Sequence, residues 1–313
     1  MGTARREDAR DDADAEHGGT ETDALEPLLG IDDFEEVDDV ATNDEWVFRR
    51  ADRLVERLPK RLGHDRKTEG EVFDQPTLMT LHRLLTSGVL RSLDFPVSTG
   101  KEANVFRGTT PQGALVAVKI YRVNTATFKH VLKYIQGDER FQGVSGDRKT
   151  LVAAWAQKEF RNLHRIRAAL IDVPEPIKVL NNVLVTEYLG VAEGPWPKLK
   201  EVGRLPEPGR FWRKLADDYV AMHNKAGLIH ADFSEFNVLV EHADRLHEAH
   251  APPAEQARPR VIDVGQAVLK SHPNGRDFLL RDVNNITHYF RRQGVRDAAP
   301  EAILDRLSPE VEA

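Results

Sequence analysis

Five residues carry most of the chemistry open to this sequence. Asp232 and Asn237 stand five apart in the stretch LIHADFSEFNVLV, residues 228–240, where two apolar runs bracket a polar centre. Flanks of that kind form short buried strands and hold the centre between them as a loop. At that spacing one carboxylate orients the proton of a nucleophile while an amide oxygen, a turn later, reaches a metal ion. Asp263, in VIDVG, follows two apolar residues and offers a second oxygen ligand to a hard cation. Lys119 ends the alternating run VAVK, whose valines face a core and send the ammonium to the other side. Such a lysine needs an acidic partner, and Glu159 on the helical pattern WAQKEFRNLHRI is the candidate. A lysine and oxygen ligands around a cation are what phosphoryl transfer asks of a protein, because its catalysis is mostly positioning and charge neutralisation.

Composition narrows the setting. A chain of 313 residues, 40% hydrophobic and 30% charged, suits one bilobal domain or two compact ones. No stretch approaches 18 uninterrupted apolar residues, so no membrane-spanning helix is expected, and the N-terminus has no apolar core of a secretory signal. Cysteine is absent, which excludes disulfides, thiolate metal sites and cysteine nucleophiles. A cytoplasmic location is expected. The net charge of −7 is unevenly spread: residues 1–45 hold 17 Asp and Glu against 3 Arg, leaving 34 acidic and 41 basic residues in the remainder. An acidic tail is thus joined to a mildly basic body that can meet the phosphates of a nucleotide or of RNA.

Taken in order, residues 1–42 have too little apolar surface to offset chain entropy and are expected to be disordered. Helices are expected from Asn43 to about Pro59 and after Asp74, which can cap a turn containing Pro76. From Phe95 to Tyr121 the period changes to strand, loop, strand, turn, strand. The loop between the first two, STGKEA, is small and polar and suits backbone N–H groups lying over phosphates. It is neither a Walker A loop nor GxGxxG, since Gly100 is its only glycine. Residues 135–149, with three glycines and dense charge, are expected to form a mobile loop. Residues 177–189 fit two strands about a turn at Asn181 and Asn182, ending in Glu187-Tyr188-Leu189-Gly190. After Val240 comes a polar, Pro-rich insert at about 241–259, expected as a surface hairpin tip whose three histidines are solvated rather than metal-bound.

With Lys119, Glu159, Asp232, Asn237 and Asp263 in this order, the chain resembles the RIO family of atypical serine/threonine kinases, most closely its Rio-one branch. The resemblance covers about residues 45–292 and rests on STGKEANVF, VAVKIYR, YIQGDERF, WAQKEFRNLHR, LIHADFSEFNVLV, IDVGQAV and HPNGRDFLLRDVNNITHYF. No winged-helix start is evident, which disfavours the Rio-two branch. The resemblance implies an α+β bilobal kinase-like fold: a strand-rich N-lobe with preceding helices, a helical C-lobe, and no peptide-docking activation segment. The division that follows is 1–42 acidic tail, 43–94 helices, 95–189 N-lobe and hinge, 190–300 C-lobe, and 301–313 tail.

It also implies ATP and Mg²⁺ as cofactors. Lys119, fixed by Glu159, would hold the α/β-phosphates, Asn237 and Asp263 would bind the cation, and Asp232 would orient the acceptor. Backbone N–H groups of Ser98, Thr99, Gly100, Lys101 and Glu102 would cover the phosphates, and backbone groups of Glu187 and Leu189 would read adenine. Relatives of this type autophosphorylate and hydrolyse ATP through an aspartyl-phosphate, here on Asp263, and act on the pre-small-ribosomal-subunit particle late in its maturation. Ser145 is a candidate self-phosphorylation site. Two other readings compete: a small-molecule kinase of the aminoglycoside or choline type, and a non-catalytic assembly factor that senses nucleotide.

Overall fold

The period-two patterning of residues 92–121 produces three adjacent strands of a five-stranded antiparallel sheet. Its members are β1 (Ser92–Thr99), β2 (Ala103–Thr109), β3 (Leu115–Tyr121), β4 (Pro176–Leu180) and β5 (Val183–Glu187), in the order β1-β2-β3-β5-β4. The computed structural model describes residues 73–123, 132, 134–135, 137–141, 147–248 and 256–308. These belong to one compact unit, Glu45–Ala313. The acidic tail, the helical period that begins at Asn43, Ser145 and the centre of the 241–259 insert lie outside the described residues.

Helix α1 (Gln75–Thr86) forms where the capping pattern predicts it. The Asp74 side chain accepts from the Thr77 N–H at 3.0 Å, and Pro76 sits in the first turn. Its apolar stripe, Leu81 and Leu84, packs with Leu90, Phe106, Val116, Val118, Ile120, Val183 and Val185 on one face of the sheet. Because alternate residues of β3 face α1, Lys119 is left on the opposite face. The β4–β5 turn carries Asn181 at a φ of +49°, and its neighbour ties the turn to the helix. Asn182 is buried and donates from Nδ2 to Thr77 Oγ1 (2.9 Å) and to the Tyr121 carbonyl (3.0 Å).

The other face of the sheet meets α2 (Arg148–Ala168), longer at its N-terminus than the expected helix and capped by Asp147. Residues 135–149, expected as one mobile loop, are tethered in part. Asp138 and Phe141 are buried, and Arg140 Nη1 donates to Asn162 Oδ1 on α2 at 2.9 Å.

The second lobe packs α3 (Pro208–Asn224), α4 (Gly275–Arg292) and the short α5 (Glu301–Leu304) around a continuous apolar core that includes Phe211, Leu215, Tyr219, Phe233, Val283 and Phe290. A small pair, β6 (Gly190–Val191) and β7 (Gly194–Pro195), follows the sheet. Four more short strands then come in nested order. β8 (Leu228–Ile229) pairs with β11 (Val268–Leu269), and β9 (Val238–Glu241) pairs with β10 (Arg258–Val261). That nesting lays the β8–β9 loop against the β10–β11 loop, so the two stretches richest in chemistry run side by side. The β9–β10 pairing joins the two described ends of the insert, Glu241 opposite Arg258.

Asn182 joins helix, strand and turn through one buried amide. Replacing it with Ala strands the Thr77 hydroxyl and the Tyr121 carbonyl, and should cost about 1–3 kcal/mol. Urea unfolding of Asn182→Ala should show a lower midpoint at unchanged slope.

Candidate active site

Lys119 leaves β3 on the side facing α2 and is held from two directions. Its Nζ lies 2.7 and 3.0 Å from the two carboxylate oxygens of Glu159 on α2. On the other side it lies 2.8 Å from Oδ1 of Asp263, which belongs to the second lobe. Burial opposes a charged amine, but Asp263 and then Glu159 outweigh it and raise the lysine well above its ordinary pKa. The Lys119 ammonium in turn lowers the pKa of Asp263. The Tyr121 hydroxyl donates to Glu159 Oε2, and burial followed by that carboxylate pushes the phenol far up. Gly265 faces the same carboxylate: a Cβ there would come within 2.9 Å of Glu159 Oε2, so any side chain would displace the acid.

The β8–β9 loop presents Asp232 and Asn237 as a unit. Asn237 Nδ2 donates to Asp232 Oδ2 and to the Asp232 carbonyl, both at 2.8 Å. With its NH₂ so engaged, the Asn237 oxygen is the atom left for a cation. The two loops are stitched together: the Ile262 N–H donates to the Asn237 carbonyl (2.9 Å), and His230 Nε2 lies 3.2 Å from the Ile262 carbonyl. Asp263, the next residue, takes a φ of +60°, a left-handed conformation that turns its side chain out of the β10 direction.

Buried polar groups hold both loops in place. Asp282 of α4 is fully buried and accepts from the N–H groups of Ala231 (2.7 Å) and Phe233 (2.9 Å) and from the Tyr219 hydroxyl (3.1 Å). Burial raises its pKa despite those donors. Ala231 itself has a φ of +64°, and Arg281 donates to its carbonyl. On the other loop, Lys158 of α2 donates to the carbonyls of Gly265 (3.1 Å) and Ala267, while Asn162 Nδ2 donates to those of Val264 (2.8 Å) and Ala267 (3.0 Å). One turn of α2 therefore carries both the partner of Lys119 and the donors that shape the turn after Asp263.

The sequence profile of the RIO domain matches residues 104–303. The RIO-type serine/threonine-protein kinase Rio1 of Haloferax volcanii is 38% identical over 276 residues, covering 88% of this chain and 89% of that protein. The chain belongs to the RIO family of atypical serine/threonine kinases. The archaeal relative from Methanocaldococcus jannaschii is 38% identical over 74% of each chain. Human serine/threonine-protein kinase RIO1 is 36% identical over 74% of this chain and 39% of its own length. Among solved structures, the ADP/Mg²⁺-phosphoaspartate complex of the Rio2 kinase from Chaetomium thermophilum is similar with a TM-score of 0.54, covering 85% of this chain and 86% of that one. At 18% identity that likeness bears on the fold, which is the kinase-like α+β fold the sequence pattern anticipates.

Within this RIO chain the structure brings Lys119, Glu159 and Asp263 into direct contact and sets Asp232 and Asn237 on the adjoining loop. The expected phosphate loop is shorter than its sequence suggests. Ser98 and Thr99 belong to β1, opposite Val105 and Asn104, so only Gly100, Lys101 and Glu102 form the turn. The Gly100 N–H is already given to the Ala103 carbonyl at 2.9 Å. At the hinge, the Glu187 N–H goes to the Glu175 carbonyl (2.8 Å), the Glu187 carbonyl accepts from Thr186 Oγ1 (3.3 Å) and the Leu189 carbonyl accepts from Trp196 (3.1 Å), so three of the four expected adenine-reading groups are engaged within the fold. The Glu187 side chain is bonded to Arg260 at 2.9 Å. Among the described residues no three His, Asp or Glu side chains cluster as a metal site. Nor is any described helix long and apolar enough to cross a membrane. Asp282, Lys158 and Asn162 escaped the reading of the sequence. The block RDVNNIT was recognised as distinctive without a role for its Asp, and a Lys beside Glu159 inside a helix passes for a surface residue.

Burial and Arg140 pull the Lys158 ammonium down to about 7, against Asp138 and Glu159, which push it up. A neutral amine still has two N–H groups for the carbonyls of Gly265 and Ala267. Above about pH 7 the folded chain then holds one proton fewer here than the unfolded chain, so stability should rise with pH toward the ordinary lysine range. The slope from this group is at most about 1.4 kcal/mol per pH unit. Guanidinium unfolding between pH 6.5 and 9.5 should lose that rise in Lys158→Met, if folding is otherwise kept.

Proposed function

We propose that this RIO kinase binds ATP with Mg²⁺ in the cleft between its lobes, uses it for self-phosphorylation and ATP hydrolysis, and cycles on a precursor of the small ribosomal subunit. The observation that carries the reading is the ammonium of Lys119, gripped by Glu159 on one side and by Asp263 of the other lobe. A cation so placed neutralises phosphate charge between the two lobes, which is the main demand of phosphoryl transfer.

The donor set fits Mg²⁺. Asp263 is 46% exposed at its side chain, and the Asn237 oxygen is left over by its contacts with Asp232. One carboxylate and one amide oxygen, completed by phosphates and water, are ligands this hard cation accepts. Bound there, Mg²⁺ would supply charge stabilisation on the triphosphate. Lys119 would exchange Asp263 for the α/β-phosphates while keeping Glu159. Asp232, steadied by Asn237, would orient the attacking hydroxyl or water. The Asp263 carboxylate is itself the candidate acceptor in the ATPase cycle. An oxygen of it bonds the γ-phosphorus, the bond to the β–γ bridging oxygen breaks, ADP leaves, and water later releases phosphate. The phosphate-covering groups reduce to the turn at Gly100, Lys101 and Glu102 with the exposed ends of Ser98 and Thr99. The adenine-reading groups reduce to the Leu189 N–H and the second lone pair of the Glu187 carbonyl, whose first is taken by Thr186 Oγ1.

Relatives named as serine/threonine-protein kinases support the kinase chemistry, and the mildly basic body suits a particle rich in RNA. Asp232→Ala and Asp263→Ala should each lower γ-phosphate release and self-labelling on the order of 10²-fold or more. Wild-type activity no faster than both variants would end the catalytic reading. Sedimentation of tagged protein with small-subunit precursors should depend on nucleotide, and loss of that dependence in Asp263→Ala but not Asp232→Ala would favour a switch over a pure kinase role.

A further inference from the structure

The chain runs from Asp263 to the start of α4 at Gly275 through one tight turn and the two-residue strand β11. That span has no room for a segment that could hold an acceptor, so another surface beside Asp232 has to do so. One is present. A cavity of about 650 Å³ opens between the β8–β9 loop and α4, with Asp232, Ser234 and Phe236 on one wall and Asn284, Thr287 and His288 on the other. Its size lies within the range of ligand clefts. Neither Lys119, Glu159, Asn237, Asp263 nor any hinge residue lines it. Asp232 lines this cavity and, through Asn237, also adjoins the loop that carries Asp263.

Two further observations mark the cavity as a binding site rather than a crevice. Thr287 is 3% exposed, and its hydroxyl has no hydrogen-bond partner. A buried helical threonine ordinarily returns its hydroxyl to the preceding turn. Left unpaired, it costs free energy until something enters and bonds it. Phe236, half exposed in the loop between Asp232 and Asn237, offers an apolar shelf, with Lys200 Nζ 4.4 Å from its ring centroid. The remaining wall is amide and imidazole with one charge of each sign, Glu235 and Arg291, so donors and acceptors are mixed on it. That combination matches a peptide backbone, whose N–H and C=O need partners of both kinds, better than a uniformly charged ligand.

We infer that this cavity seats the phosphoryl acceptor as a peptide segment, its serine or threonine hydroxyl reaching Asp232 and its neighbouring backbone bonding Thr287 and Asn284. The inference rests on the kinase reading above and names its acceptor side. Thr287, Asn284 and Phe236 are then binding residues for the acceptor. The motif RDVNNIT acquires two roles, since its Asp282 holds the loop and its next turn lines the pocket.

The test uses the full chain with ATP and two protein acceptors, dephosphorylated casein and myelin basic protein. Thr287→Val keeps shape and removes only the hydroxyl, and Asn284→Ala changes an exposed position, so neither substitution threatens the fold. In each, KM for the better acceptor should rise on the order of tenfold, the loss of one to two hydrogen bonds, while KM for ATP stays within twofold. An acceptor KM unmoved in both variants overturns the assignment, as does a parallel rise in KM for ATP. Faster transfer to a soluble sugar or amino alcohol than to either protein overturns the peptide class. Asp232→Ala, run alongside, separates the two failures. If it retains wild-type turnover, the kinase reading itself falls. If it loses turnover while the pocket variants keep their acceptor KM, only the pocket falls.

Discussion

The site depends on one ion triad. Lys119 ends a strand of the first lobe, Glu159 lies on the helix that packs beneath that strand, and Asp263 comes from a turn of the second lobe. Two carboxylates are tolerable in a partly desolvated place only because the one ammonium between them offsets the burial of both. Removing the ammonium from such a cluster typically costs about 3–5 kcal/mol, since it leaves charges without their counterion. The same arrangement favours the ionised form of Asp263.

Around the triad the protein spends buried polar groups on backbone rather than on one another. Asp282 takes two N–H groups of the catalytic loop, and Lys158 with Asn162 takes three carbonyls of the turn after Asp263. Each loop contains a non-glycine residue at positive φ, Ala231 in one and Asp263 in the other. Such conformations persist where the surroundings over-determine them. Here the surroundings are named: an aspartate from α4 for one loop, a lysine and an asparagine from α2 for the other. Helix α2 thus couples the position of Glu159 to the shape of the Asp263 turn.

How much of this was legible beforehand follows from how local each signal is. Strand alternation in VAVK is a property of four successive residues, and it placed Lys119 opposite the α1 face correctly. The Asp232–Asn237 spacing and the cap at Asp74 are equally local. Ser98 and Thr99 were misplaced because a small polar pair suits a loop or a strand end, and the ladder partners that decide it, Val105 and Asn104, sit across a turn. At the hinge the deciding contact is likewise remote, since the Glu187 N–H is taken by a carbonyl twelve residues earlier.

The amino-acid order alone determined the kinase class and the candidate residues, with the elements they come from, because period and spacing are set by neighbours along the chain. Only the folded chain decided which carbonyls Lys158 would meet, that Asp282 would hold the catalytic loop, and that Thr287 would face a cavity with its hydroxyl unpaired. Those outcomes join residues 50 to 110 positions apart, and the partner of a buried polar group is known only once the chain has closed around it.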